Sequence, residues 1–198
     1  MHFAPLSLDG KLGALSFETG LNFENLSAFN SISGTAGFST INPRVGLKFE
    51  TFGKNRVGRT SLMVKGNVSY IDEVDQLAIG GDETTDTYTR LSFQHLEQVR
   101  LGKILRQNPA GEHPYLDRHL LSLRMEASWA LSSRRHLPMH QFITGGSSSV
   151  RGYPESIVAG DSGYLFSIEY KIPYLLYDGN QGQLAWSILP FLDVGSTR

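Results

Sequence analysis

Arg151 is the one charged residue between His140 and Glu155, inside the stretch QFITGGSSSVRGY that runs from Gln141 to Tyr153. It stands between Val150 and Gly152, next to Tyr153, with Gly145 and Gly146 upstream. An isolated guanidinium in such a setting is suited to pairing a carboxylate through two parallel N–H bonds. The glycines point to tight turns and close backbone approach. The competing reading is a hairpin loop that happens to hold an arginine.

Other chemistry is thin. The six histidines, among them His113, His119, His136 and His140, form no His-Glu-x-x-His or comparable ligand set. Ser148, His140 and Asp161 assemble into a triad only on paper, because no Gly-x-Ser-x-Gly elbow presents the serine. Gly80-Gly81-Asp82-Glu83 lies in an acidic stretch between strand-like segments and reads as a turn. No glycine-rich phosphate loop precedes a helix. The chain is therefore expected to be no enzyme and to need no cofactor or metal.

Composition narrows the class. The chain has 198 residues, no cysteine and a net charge of −1. A disulfide framework, a thiol nucleophile and a thiolate metal site are thus excluded. A near-neutral charge argues against a nucleic-acid binder. No run of eighteen apolar residues marks a membrane-spanning helix, though barrel strands would leave only a weak alternating signal. The N-terminus, MHFAPLSLDGK, lacks the basic start and apolar core of a signal peptide. Either the chain is cytoplasmic or it belongs to a longer precursor.

The elements that would carry these residues alternate with period two, the mark of strands. The predicted strands are 12–24, 43–52, 57–71, 87–101, 119–132, 164–175 and 183–196, about seven in all. In 119–132, Leu121, Leu123, Met125, Ala127, Trp129 and Leu131 face one way and Ser122, Arg124, Glu126 and Ser128 the other. In 87–101 the alternation breaks after Leu96. Pro190 restricts its strand to an edge or a bulge. The segments 25–40, 72–86, 103–117 and 133–163 read as loops, with short turns at 53–55 and 177–180. A connection of about thirty residues is usually either functional or disordered, and the apolar residues of 133–163 argue against disorder.

The spacing Gly145-Gly146, Val150-Arg151-Gly152-Tyr153, Glu155, Gly160-Asp161 and Gly163, followed by an alternating strand, resembles the outer-membrane transporters of two-partner secretion. These haemolysin and filamentous-haemagglutinin secretion/activation proteins belong to a superfamily of periplasmic-repeat (POTRA) plus β-barrel proteins. A second family motif, Phe-x-Asp-x-Gly, is matched by Phe191, Asp193 and Gly195. The likeness is specific over residues 118–198 and only architectural before them.

The resemblance implies a bacterial outer-membrane, antiparallel up-and-down transmembrane β-barrel. Residues 1–198 would form one partial domain of it, about seven strands of about sixteen. The loop 133–163 would be extracellular and fold into the barrel. The missing barrel strands and POTRA domains would lie elsewhere in a longer chain. The implied function is export of a partner exoprotein through the outer membrane, with lipid as the other partner and no nucleic acid. In the family the loop arginine meets the aspartate of the second motif. Asp193 is the only charge on its strand before Arg198, so Arg151 and Asp193 are expected to pair, with Glu169 as a second partner.

Barrel strands show apolar residues to lipid and polar residues to the lumen, which would turn Arg124, Glu126, Glu169, Lys171 and Asp193 inward. Tyr70, Trp129, Tyr174 and Trp186 would suit the membrane interfaces, or equally an ordinary core. The long/short loop rhythm puts 25–40, 72–86 and 133–163 outside the cell and 53–55, 103–117 and 177–182 in the periplasm. Two alternatives stand beside this reading. One is a barrel-assembly or surface-antigen member of the same superfamily. The other is a soluble β-sandwich acting as a binding module.

Overall fold

Alternation of this kind buries or exposes whole faces at once, and the chain uses it to build one large antiparallel sheet. The computed structural model describes residues 6–8, 11–30, 34–70, 84–85, 87–102, 118–132, 134–136, 138–179 and 182–198. Strands β1 to β4 are Leu6–Leu8, Lys11–Asn30, Gly34–Phe52 and Arg56–Tyr70. Thr84–Thr85 is β5, Tyr88–Arg100 is β6 and Leu120–Ala130 is β7. Within the following connection lie β8 (Arg135–His136), a 3₁₀ turn (Pro138–His140), β9 (Phe142–Thr144) and β10 (Val158–Gly160). Gly163–Gly179 is β11, Gly182–Ile188 is β12 and Phe191–Thr197 is β13.

The main sheet runs β1-β2-β3-β4-β6-β7-β11-β12, with β13 also on β11. β12 pairs with Ile172–Gly179 and β13 with Gly163–Glu169, so the two are one strand interrupted at Leu189-Pro190. Proline has no N–H to give the ladder, and Pro190 instead accepts a hydrogen bond from the Tyr170 amide at 3.0 Å. Counting that pair as one and leaving out the three-residue β1, the sheet has the strands expected from the alternation.

Three expectations need correction, the first being the turn at 177–180: Tyr177–Gly179 is the end of β11, paired with Gly182–Leu184. The segment 25–40 is not a loop: β2 runs to Asn30 and β3 starts at Gly34, paired from Leu12↔Phe52 to Asn30↔Gly34. A backbone ladder needs no apolar side chains, so polar composition hid it. The sequence alternation also misses β1, which pairs antiparallel with β2 from Leu6↔Gly13 to Leu8↔Lys11. The acidic stretch 71–83, which includes Gly80-Gly81-Asp82-Glu83, and the expected loop 103–117 lie outside the described residues.

Each face keeps its character across the sheet because opposite residues of neighbouring strands share a face. Leu47, Leu62 and Phe93 stand in one row. Phe17, Phe23, Leu47, Leu62, Trp129 and Tyr164 are all exposed on the apolar face. Among the described residues only Tyr88 and Leu165 are fully buried apolar side chains. The broken alternation of β6 has a local cause. His95 and Glu97 stand on the apolar face, where His95 Nδ1 meets Thr60 Oγ1 at 2.8 Å and Arg56 Nη2 donates to Glu97 Oε2 at 2.9 Å. The charges there are paired rather than left bare against the apolar row.

Candidate functional site

The polar face of β11 and β13 prepares the site before the loop arrives. Ser167 stands opposite Asp193 and Glu169 opposite Phe191, two rungs separated by Ile168↔Leu192, so all four side chains lie on one face. The neighbouring rung of β7 adds Arg124, opposite Ser167.

Arg151 enters this group from above. Its Nε donates to Asp193 Oδ2 at 2.6 Å and its Nη2 to Asp193 Oδ1 at 2.7 Å, the fork-to-fork geometry of a carboxylate pair. Nη2 also donates to Ser167 Oγ at 3.2 Å, and Nη1 pairs with Glu169. The Arg151 backbone N–H donates to Asp193 Oδ2 at 3.1 Å. Ser167 in turn donates to Asp193 Oδ1 at 2.6 Å. The guanidinium carbon sits 3.6 Å from the Phe191 ring centroid, a cation–π contact. The Asp193 side chain is 2% exposed and that of Arg151 25%. Hydrogen bonds to Asp193 first, and to Glu169 second, hold the Arg151 guanidinium above its ordinary value against the effect of burial.

The tip has its own scaffold. Glu155 Oε1 accepts the Ser147 amide at 2.9 Å and the Ser147 hydroxyl at 3.1 Å. Ser149 Oγ accepts the Gly145 amide and donates to the Gly145 carbonyl, both at 2.8 Å. From the wall, Arg124 Nη1 donates to the Ser148 carbonyl at 2.7 Å, while its Nε holds Glu126 at 2.8 Å. β9 and β10 pair behind the tip, Thr144↔Val158 to Phe142↔Gly160. Gly145, Gly146 and Gly152 all have positive φ.

No family model matches the chain, and neither does any curated protein or solved structure.

The structure therefore brings Arg151, Asp193, Glu169 and Phe191 into one cage. Gly195 and Val150 meet beside it. Tyr153 is 61% exposed and makes none of the cage's hydrogen bonds. Arg124 is on the polar face as the alternation predicts, though its bond to the loop tip is not foreseen, and Ser167 is no predicted site residue. Both share the parity of Glu169 or Glu126 on their strands, and that parity was the available signal. Asp161 belongs to the root of the loop, where it accepts the His136 amide at 3.0 Å, while Ser148 belongs to the tip. No three His, Asp or Glu side chains among the described residues are grouped to hold a metal ion. A cleft of about 460 Å³ runs between the tip and the wall, lined by Arg59, Leu96, Arg124, Ser148 and Glu169 among others. The arrangement fixes a loop.

Gly195 gives a direct check on the docking. A Cβ there would lie 2.8 Å from Val150 Cγ2, inside van der Waals contact. Gly195→Ala is expected to weaken tip docking by about 1–3 kcal/mol, as overpacking does. Val150→Ala in the same chain should recover part of that by removing the opposing methyl groups. Hydrogen exchange at the Arg151 amide reads both changes. A Gly195→Ala chain with unchanged protection would mean that Val150 is not seated there.

Proposed function

We propose that this chain is part of the wall of an outer-membrane β-barrel that exports a partner protein, of the two-partner secretion type, with residues 133–163 as its in-folded extracellular loop. The observation that carries the reading is the seating of Arg151 on Asp193 and Glu169. A loop arginine, committed to carboxylates on the polar face, ties an element across what would be the lumen.

The apolar face supports the membrane part of the reading. Trp129 and Tyr164 lie toward one end of it and the ring pair Tyr174–Trp186, centroids 5.0 Å apart, toward the other. Tyr164 and Tyr174 share a face of β11 and are separated by ten residues, roughly 34 Å of strand. A tilt of about 45° reduces this to about 24 Å, the height of the apolar band of an outer-membrane barrel. A soluble β-sandwich would pack that face against a second sheet. Among the described residues the only other sheets are the two-stranded β9–β10 and β5–β8 pairs.

β2 and the β12/β13 strand are not paired with each other in the sheet order. Open edges are not tolerated in lipid, so closure requires further strands that pair with both. Export through such a pore needs no catalytic group of this chain. Its residues hold a polar wall and a positioned loop, and the exoprotein moves between them. The barrel-assembly alternative shares the loop motif and stays second, because the Gln-Phe…Gly-Asp-Ser-Gly wording around the motif favours the secretion branch.

Single cysteines test the topology, since the native chain has none. A membrane-impermeant maleimide should label Thr84→Cys on intact cells and Lys54→Cys only after permeabilisation. The reverse pattern, or equal labelling of a cytosolic protein, would sink the reading.

A further inference from the structure

The root of the loop is organised as tightly as its tip, around His136. This side chain is completely buried. Its ring stacks on Tyr88 of β6 at 4.3 Å between centroids and 30° between planes. Its Nε2 is 2.7 Å from Ser132 Oγ at the end of β7. Its amide donates to Asp161 Oδ1, which also accepts Gln141 Nε2 at 3.2 Å. Arg90 of β6 donates from Nη1 to the His140 carbonyl at 2.9 Å. β5 adds a parallel bridge, Thr84↔Arg135 and Thr85↔His136, so the preceding connection is tied to the same point. One residue thus joins β6, β7, the return into β11 and two connections.

We propose that this cluster is an acid-released latch: protonation of His136 frees the root of the loop from β6 while the Arg151 cage keeps the tip in place. The inference rests on the loop contacts alone and stands whether or not the sheet lines a pore.

A neutral imidazole needs one donor and one acceptor, whereas the imidazolium needs two acceptors. His136 Nδ1 is buried and makes no hydrogen bond among the described residues. A second N–H there would be a buried, charged, unsatisfied donor. The charged groups facing the ring are Asp161, on the return to β11, and Arg90, on β6; Tyr88 and His140 are its titratable neighbours. Burial first, and Arg90 with it, hold His136 below its ordinary value of 6.5, and Asp161 only partly opposes them.

The sign follows from linkage. The released root, with His136 in water, takes up a proton near pH 6.5, and the latched root does so only at lower pH. Latching is therefore fully favoured above pH 6.5 and is lost as pH falls below it. The cage contains only carboxylates and a guanidinium, whose ordinary values lie outside this window.

Hydrogen exchange in the folded full chain, divided by the rates of an unstructured peptide of the same sequence, tests the latch. Protection of the His136 and Gln141 amides should fall by up to about tenfold between about pH 7.5 and about pH 5.5. That of the Arg151 amide should stay level. His136→Phe keeps the stacking and cannot protonate; His136→Gln keeps a polar contact to Ser132 and serves if the first variant does not fold. Either should show a flat profile. A flat wild-type profile overturns the latch, and so does an equal fall in a folded His136 variant. Parallel loss at Arg151 overturns the claim that root and tip release separately.

Discussion

Arg151→Ala should lower the protection of the loop-tip amides by about two to four orders of magnitude, the equivalent of roughly 3–5 kcal/mol for one partner removed from a buried pair. The strands themselves should keep their protection, since the sheet ladder does not pass through the cage. The effect should be asymmetric. Removing the Arg151 side chain leaves Asp193, only 2% exposed, with the Ser167 hydroxyl and the backbone N–H of residue 151 as its partners but no counter-charge on it from Arg151. Removing Asp193 leaves Arg151 its contact with Glu169 and a side chain that reaches water. Asp193→Ala should therefore cost less than Arg151→Ala by about 1–2 kcal/mol, a difference set by the carboxylate that has lost its guanidinium. Arg151→Lys should fall between, because one ammonium cannot span both Asp193 oxygens and Glu169. The double Ala variant should be little worse than Arg151→Ala, as both changes remove one contact. On the proposed export reading, each single variant should reach the outer membrane and release much less exoprotein. Additive losses in the double variant would show that the two residues act apart.

The cage was legible because each side carries a lone charge. Arg151 has no charged neighbour in its stretch and Asp193 none on its strand before Arg198. Parity along the strands then puts Glu169 on the face that Asp193 shares. The long strands were legible for a related reason: one exposed apolar row forces strict alternation, as in Leu121 to Leu131. What stayed hidden is what parity does not encode. The continuation of β2 and β3 through 25–30 and 34–40 is a backbone ladder with polar side chains. Arg56, Thr60, His95 and Glu97 satisfy one another across two strands and so disguise the phase of β6. The root of the loop depends on His136 meeting Tyr88 and Asp161, residues distant in the chain whose types carry no pairing rule as strong as that of opposite charges.

Gly146→Ala should disturb the loop more than Gly152→Ala, although both residues have nearly the same backbone geometry. Their φ angles are 98° and 91°, a region that side chains other than hydrogen rarely adopt. A Cβ at Gly152 would meet nothing within 4 Å. The cost there is conformational alone, roughly 1–3 kcal/mol. A Cβ at Gly146 would collide with the carboxylate of Glu155, which holds both the amide and the hydroxyl of Ser147. Glu155 must then swing away, and the Ser147 bonds go with it. Losing charge-assisted bonds of this exposed kind adds about 1–2 kcal/mol to the backbone cost. The excess should vanish in a Glu155→Ala background, where Gly146→Ala and Gly152→Ala should become equal. Protease nicking within 145–156, followed against the intact chain, measures all four variants. Equal nicking of Gly146→Ala and Gly152→Ala with Glu155 in place would mean that the Ser147–Glu155 clasp does not shape the tip. A larger effect at Gly146 would show that the tip is shaped before it docks, so that Arg151 reaches Asp193 from a loop already folded to deliver it.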